Sequence, residues 1–428
     1  MREASRVLDT IIDRVRRLRS SVALHLLISC LWAIRPLVHI RLATFRTERV
    51  GHFISDTDLA LGLLKLQWPD ASSRRLAVFV MPDQTCNEQL RQMYTVAVAA
   101  LPRARLLDCR SSWLGRRLEP SARLLTSLVQ HKGRFETFFC GSPHPGGIDA
   151  CGLRPSGRPH ISFTDQETNR AWAELRELGI TPSTRYVCLH IRDDAYLRHI
   201  QPERDWSYHS YRNPDPKSYV PAILQTIDRG YLVIRMGQVS EAPLPCSSPQ
   251  LVDYSRWSGR SALLDVFLYS HASLTICGAA SGIDQLGWAF DVPSVITNFV
   301  PFEDPRFAIG DGTLIPCLLR DVATNRRLPL SESLQHRYGS SRSYDSAGIQ
   351  VVHNSAEEVR AVVDEAISRI EGSWTDDVEA WAEQDRFWEW AERCGLSSSI
   401  PEGPWTKGYY RSRLGTAFLR THTTLLMS

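Results

Sequence analysis

Two short runs hold the residues best suited to chemistry: Gly278-Ala279-Ala280-Ser281-Gly282 and His190-Ile191-Arg192. The first predicts a tight turn between an apolar strand, Leu274–Cys277, and a helix over Ile283–Phe290, with Ser294–Thr297 as the next strand. A turn that leaves a parallel strand and enters a helix offers free backbone N–H groups, and the helix dipole favours an anion there. Glycines at 278 and 282 let a phosphate approach the main chain, so a phosphorylated ligand is expected at Ser281 and Gly282. In the second run, His190 ends the apolar strand Tyr186–Ile191, and Arg192 stands where the chain leaves the sheet. A guanidinium there takes two phosphate oxygens side by side, which an ammonium does not reproduce. His190 would donate to the same group or orient the loop. The competing expectation is an ion pair of Arg192 with Asp193 or Asp194, beside a satisfied core histidine.

Further candidates come from strand ends and loops. The segment Tyr208–Asp215 mixes aromatic rings with hydrogen-bonding groups, a composition suited to a sugar. His209, Tyr211 and Arg212, with Tyr196, are therefore the acceptor or sugar-side candidates; a loop merely stapled by Tyr211 and Arg212 is the alternative. Arg235 and Gly237 close the buried strand Tyr231–Met236, where Arg235 either adds a second charge or serves the structure. Asp253 and Tyr254 follow the strand Gln250–Val252 and could meet a ribose or a base. Asn298, just past Thr297, is a further donor-side candidate, or simply a turn residue. Nearer the amino terminus, His52 and Asp56 could supply a general base. Asp56 or Thr57 as a plain helix cap is the stronger expectation. Asp56-Thr57-Asp58 has the DxD spacing, but a helix beginning there argues against a metal, and none is expected. P-loop, GxSxG, HExxH and HRD signatures are absent from the sequence.

These residues need a framework of alternating strands and helices. Glu48–Ile54 is predicted as a strand, with Ser55-Asp56-Thr57 capping a helix over Asp58–Leu66. Leu76–Met81 and Arg105–Asp108 are predicted strands, and Asn87–Ala99 the helix between them. Gly141–Pro159 is expected to be irregular. Thr164 and Glu167 have capping-box spacing for a helix ending near Gly179. Helices are further expected over Ser218–Arg229, Ser261–His271, Ala356–Glu371 and the tryptophan-dense Asp376–Arg393, whose aromatics read as core. The expected organisation is a basic, amphipathic segment (1–44), one α/β domain (45–170), a second (171–372), and terminal helices (373–428) packing back on the first.

At 428 residues the chain is long enough for two α/β cores. A net charge of +3 is too small to argue for nucleic acid as a partner. Ten cysteines without a CxxC pair suit a reducing, cytoplasmic setting better than a disulfide framework. Arg14, Arg16, Arg17 and Arg19 precede an apolar run, Val22–Ile34, that falls short of the roughly 20 residues a spanning helix needs. It is expected to pack on the protein or to lie on the cytoplasmic face of the inner membrane.

The stretches GHFISDTDLAL, FTDQE, YVCLHIRDDAYL, HSYRNPDPKSY, GYLVIRMG and DVFLYSHASLTICGAASGIDQLGWAFDVPSVITNFVPF resemble a little-characterised bacterial family of glycosyltransferases found with surface-polysaccharide functions. The likeness runs from about residue 46 to the carboxy terminus and is strongest over 186–302. The unit after 261 also resembles heptosyltransferases, and His190-Ile191-Arg192 resembles the HxR of fucosyltransferases. One departure stands out: heptosyltransferases carry an acidic residue just before Ser-Gly, where this chain has Ala280. The resemblance implies a GT-B-like α/β fold, two Rossmann-like domains facing a cleft. It also implies diphosphate contacts from Arg192 and the Ser281-Gly282 backbone, with His190 in support. The activity so implied moves a hexosyl or deoxyhexosyl group from a nucleotide-sugar, a substrate and not a cofactor, to a saccharide or lipid-linked hydroxyl without a metal. His52, Asp56 and Arg192 are then the catalytic candidates. A nucleotide-sugar epimerase and a non-catalytic nucleotide-sugar-binding protein remain the alternatives.

Overall fold

Runs of apolar, β-branched residues alternate with amphipathic helices along this chain, and they assemble into parallel sheets in each of two units. The computed structural model describes residues 21–68, 74–142, 160–279, 281–302, 312–394 and 413–426, leaving aside the side chain at 392. Residues up to 142 with 160–162 belong to one unit, and those from 163 onward to the other.

The first unit is built on strands β1 (His39–Thr44), β2 (Arg75–Met81) and β3 (Ala104–Asp108), parallel and in that order. An isolated parallel bridge from Leu42 to Phe139 extends the β1 edge. Around the sheet run helices α1 (21–34), α2 (Val50–Gln67), α3 (Glu88–Ala99) and α4 (Trp113–Lys132). The expected strand over Glu48–Ile54 is instead the start of α2, and the first strand lies in the segment assigned to the amino-terminal extension. The burial explains both. Leu42, Ala43, Thr44 and Phe45 are all buried, as a strand covered on both faces requires. Phe53, Ile54, Thr57, Ala60, Leu61 and Leu64 are buried at helical spacing. Ser55, Asp56 and Thr57 thus lie inside α2 and do not cap it; Arg49 occupies the N-cap.

Helix α1 buries Leu24 and Leu31, seven residues apart on one stripe, and leaves Val22, Leu26 and Trp32 more than half exposed. Among the described residues no helix is long and apolar enough to cross a membrane. The arginines at 14–19 and all but the first two residues of Gly141–Pro159 lie outside the described residues.

The second unit holds strands β4 (Tyr186–Ile191), β5 (Leu232–Arg235), β6 (Leu251–Val252), β7 (Leu274–Gly278), β8 (Ser294–Phe299), β9 (Thr313–Pro316), β10 (Leu318–Asp321), β11 (Ile349–Val352) and β12 (Arg413–Leu414). Seven of them form one wholly parallel sheet, ordered β12-β9-β8-β7-β4-β5-β6. β10 and β11 pair antiparallel beside it. The chain builds outward from β4 to β5 and β6, then returns to the other side of β4 with β7. That reversal is the topological switch point, and in open parallel sheets ligands bind outside the strand ends at such a place.

Helix α5 (Asp165–Leu175) opens this unit with the expected capping box from Thr164 and Glu167. Then come α6 (Ala195–Ile200), α7 (Val220–Asp228), α8 (Ala262–Ser270) and α9 (Gln285–Ala289). The tryptophan-dense helix (Val378–Arg393) and the short helix Thr416–Thr421 belong to the second unit. Phe387, Trp390, Leu414, Phe418 and Leu419 share one core with Val295, Ile315 and Val362 of the second. The physical reason is β12, which adds to the β9 edge and fixes these helices over the same sheet.

Candidate functional site

The ends of β4 and β7 at the switch point carry the polar groups that matter most. Register pairs His190 with Cys277, so both side chains leave the same face of the sheet, with Arg192 two residues on. Gly278 pairs with Ile191 and is buried. A Cβ on Gly278 would lie 2.6 Å from the Tyr219 hydroxyl. That glycine therefore makes room for Tyr219, not for a phosphate. Tyr219 in turn bonds to Thr297 Oγ1 at 2.6 Å, so the floor of the loop is rigid and filled.

Beyond Gly278, Ala279 takes a left-handed conformation at φ 68°, and its N–H donates to the Thr297 carbonyl at 2.7 Å. Ser281 and Gly282 follow. The expected helix over Ile283–Phe290 is a single 3₁₀ turn, Gly282–Asp284, running into the five-residue α9. Its amino end is not open to an incoming anion at Ser281. The Ser281 N–H donates to Asp284 Oδ2 at 2.5 Å, so the protein's own carboxyl already occupies it.

Asp284 is the group that sequence reasoning missed. Only 2% exposed, it faces the His190 imidazole at 3.9 Å. Burial raises its carboxyl to about 7, against the lowering effect of the Cys277 thiol, the Ser281 N–H and the Arg212 charge. Burial, with the charges of Arg192 and Arg235, lowers His190 to about 3, so the imidazole is neutral. The signal in the sequence was an acidic residue three positions after a serine, the spacing of a capping box.

Cationic charge gathers on the same side. Arg192 Nη1 donates to Asn213 Oδ1 at 2.5 Å and to the His209 carbonyl at 3.5 Å, and lies 3.7 Å from Asp194 Oδ1. Burial, and next the neighbouring guanidinium of Arg212, lower it to about 10 despite Asp194, Tyr211 and Asp193. Arg212 itself donates to the Ala279 carbonyl at 3.4 Å, at the turn after β7. Two guanidinium groups thus neighbour each other, with Asp193, Asp194 and Asp284 as carboxyl groups around them. Such an arrangement favours an anion.

The segment Tyr208–Asn213 is held from behind. Tyr211 N–H donates to Ser341 Oγ at 3.2 Å, the Tyr211 ring meets Tyr344, and His209 stacks on Tyr208. Tyr196 is half-buried on α6.

Other candidates are used by the structure. Register pairs Arg235 with Leu189, one step out from His190, so its side chain leaves the opposite face. There it is buried, donating to the Ala242 carbonyl at 2.6 Å and to Asp253 Oδ2 at 3.3 Å. Arg235 and Asp253 are thereby each other's counter-ions. Tyr254 is fully buried and donates to Asp265 at 3.0 Å. Asn298 is fully buried as well, exchanging hydrogen bonds with Asn354 at 2.6 and 2.7 Å. Gly237, with φ 143°, is the glycine-requiring bend after β5.

In the first unit, His52 and Asp56 come together on α2, one turn apart at 3.6 Å. Arg46, which the sequence did not single out, completes the group: it lies 3.6 Å from Asp56 and 3.4 Å from His52 Nε2. Asp56 is 8% exposed, and neither carboxyl oxygen has a hydrogen-bond partner. A small cavity bounded by Thr44, Arg46, Asp56, Gln130 and Ser142 adjoins it. Among the described residues, no group of three or more His, Cys, Asp or Glu is placed to hold a metal ion.

No family model matches the chain, and no curated protein matches it. Among solved structures, Escherichia coli ADP-heptose lipopolysaccharide heptosyltransferase II is similar over 60% of this chain and 84% of its own, at 11% identity and a TM-score of 0.36. A family 9 glycosyl transferase from Veillonella parvula is similar over 61% and 80%, at 12% identity and 0.34. The Escherichia coli heptosyltransferase WaaC, solved with ADP-2-deoxy-2-fluoro heptose, is similar over 61% and 90%, at 13% identity and 0.32.

Proposed function

We propose that this chain transfers a sugar from a nucleotide-sugar to a hydroxyl acceptor, with the donor diphosphate received at Arg192 and Arg212. The observation that carries this reading is the placement of two adjacent guanidinium groups at the switch point of a wholly parallel sheet. As the glycosidic bond breaks, negative charge grows on the leaving diphosphate. Preorganised cations lower the barrier because they need no rearrangement at that moment. Asn213 fixes Arg192 from behind, and the Tyr208–Asn213 segment would line the sugar.

Asp56 is the proposed general base. Arg46 lies 3.6 Å from it, and the Asp56 oxygens have no competing donor at hydrogen-bond distance. His52, one turn earlier, would position it or share the proton. The acceptor is proposed to be a saccharide or lipid-linked saccharide. The exposed Val22, Leu26 and Trp32 of α1 suit attachment to the surface of a membrane carrying such an acceptor.

A panel of nucleotide-sugars and their nucleoside diphosphates, each assayed by thermal shift and then for transfer to saccharide acceptors, tests the reading. A matching donor at 100 times its Kd should stabilise the fold by about 2.7 kcal/mol and yield a glycosylated product. Silence from every nucleotide-sugar and every nucleoside diphosphate would overturn it.

A further inference from the structure

We infer that Asp284 is a positioning residue that sets the tautomer of His190, and through it whether the imidazole donates to or repels a bound anion. The inference rests on the proposed anion site at Arg192 and Arg212.

The geometry leaves these two groups facing each other. His190 Nδ1 and Asp284 Oδ1 are both sealed from solvent, 3.9 Å apart, and neither has a hydrogen-bond partner. A small adjustment of either side chain would close that gap into a hydrogen bond, and an unsatisfied buried pair favours it. The His190 side chain keeps 15% of its surface exposed, none of it at Nδ1. Its other nitrogen, Nε2, is thus the one available to a ligand on the face shared with Arg192.

Two states follow. With Asp284 protonated, its O–H donates to Nδ1, the ring hydrogen sits on Nε2, and Nε2–H donates to an anion. When Asp284 releases that proton to solvent, Nδ1 takes the ring hydrogen and donates to the carboxylate. Nε2 is then a lone pair turned toward the anion. One proton leaves, and the donor becomes an acceptor.

The groups around the pair support this. Asp284 faces the Cys277 thiol of β7, the Ser281 N–H and Arg212, with Tyr269 of α8 nearby. His190 faces Arg192 and, through the sheet, Arg235. The two values, about 7 for Asp284 and about 3 for His190, keep the imidazole neutral while the carboxyl titrates near neutrality.

The test is nitrogen-15 NMR of imidazole-labelled protein at pH 6 and pH 8, with UDP, GDP and ADP titrated in parallel. The expected result is hydrogen on Nε2 at pH 6 and on Nδ1 at pH 8. For a diphosphate that binds, affinity should fall about tenfold between them, the worth of one charge-assisted hydrogen bond. In D284N the side-chain amide donates to Nδ1 at both pH values, so Nε2–H should persist and affinity should stay level. A His190 tautomer that does not change between pH 6 and pH 8 in the wild-type protein overturns the inference, whether or not D284N folds. A tautomer switch without binding of any diphosphate would leave Asp284 controlling His190 but remove the anion from this face. Diphosphate binding without a switch would do the reverse.

Discussion

The two polar clusters solve opposite electrostatic problems. In the first unit a carboxylate, Asp56, is buried inside a helix and flanked by a cation, Arg46, and an imidazole, His52. In the second, two guanidinium groups meet at the end of a sheet beside a carboxyl that burial holds near neutrality. In the proposed reading, the first cluster supplies a base and the second receives an anion. Each is assembled from groups that would be poorly placed alone.

That contrast predicts different kinetic signatures, and the largest belongs to the first unit. Asp56→Asn keeps the shape and removes the basic oxygen. Its kcat should fall about 10²–10⁴-fold, while the nucleoside diphosphate binds as in the wild-type protein. Near-normal turnover would reduce Asp56 to a structural partner of Arg46. Arg192→Ala should instead lose both rate and affinity: about 10²–10³-fold in kcat, with weaker diphosphate binding. Arg192→Lys should recover little, because a point charge cannot hold Asn213 and two phosphate oxygens in one plane. If Arg192→Ala alters neither quantity, the excess cationic charge at β4 serves the fold and the contrast between the clusters collapses.

Local chemistry made part of this arrangement legible in the sequence. The strand Tyr186–Ile191 has the bounds expected of it, because a run of β-branched and aromatic residues buried on both faces has one plausible conformation. The cap at Thr164 was equally readable, since it depends on a side chain bonding a backbone group three residues away. β1 was missed because the helical stripe of α2 begins with residues that alternate over a short window. His190 and Arg192 could be placed at a strand end, and Ser281 at a turn. Asn213 could not be tied to Arg192, Asp284 to His190, or Arg46 to His52 and Asp56, because those contacts arise only when the chain closes in space. The expectations for Asn298 and Arg235 met the same limit from the other side. Each stands at a strand end, yet a partner far along the chain, Asn354 for one and Asp253 for the other, consumes its polar groups.

The smallest expected effect bears on the second cluster alone and is read from stability. His190 is lowered to about 3 from an ordinary 6.5, so between those values the folded protein binds fewer protons than the unfolded chain. Its contribution therefore makes stability rise with pH over that window. Asp284 is raised to about 7 from an ordinary 3.8, so there the folded protein binds more protons, and its contribution makes stability fall as pH rises. From about pH 4 to pH 6.5 the two slopes oppose each other and nearly cancel. Removing one should expose the other: D284N should gain stability toward pH 6.5, and H190Q should lose it, each by at most about 1.4 kcal/mol per pH unit. Urea midpoints measured at half-unit steps resolve a change of that size. Parallel pH profiles for D284N and the wild-type protein would mean that the folded Asp284 carboxyl is already ionised across this range, as in the unfolded chain. The second cluster would then be a fixed arrangement, with no proton to exchange, and its likeness to the first would be closer than the charges suggest.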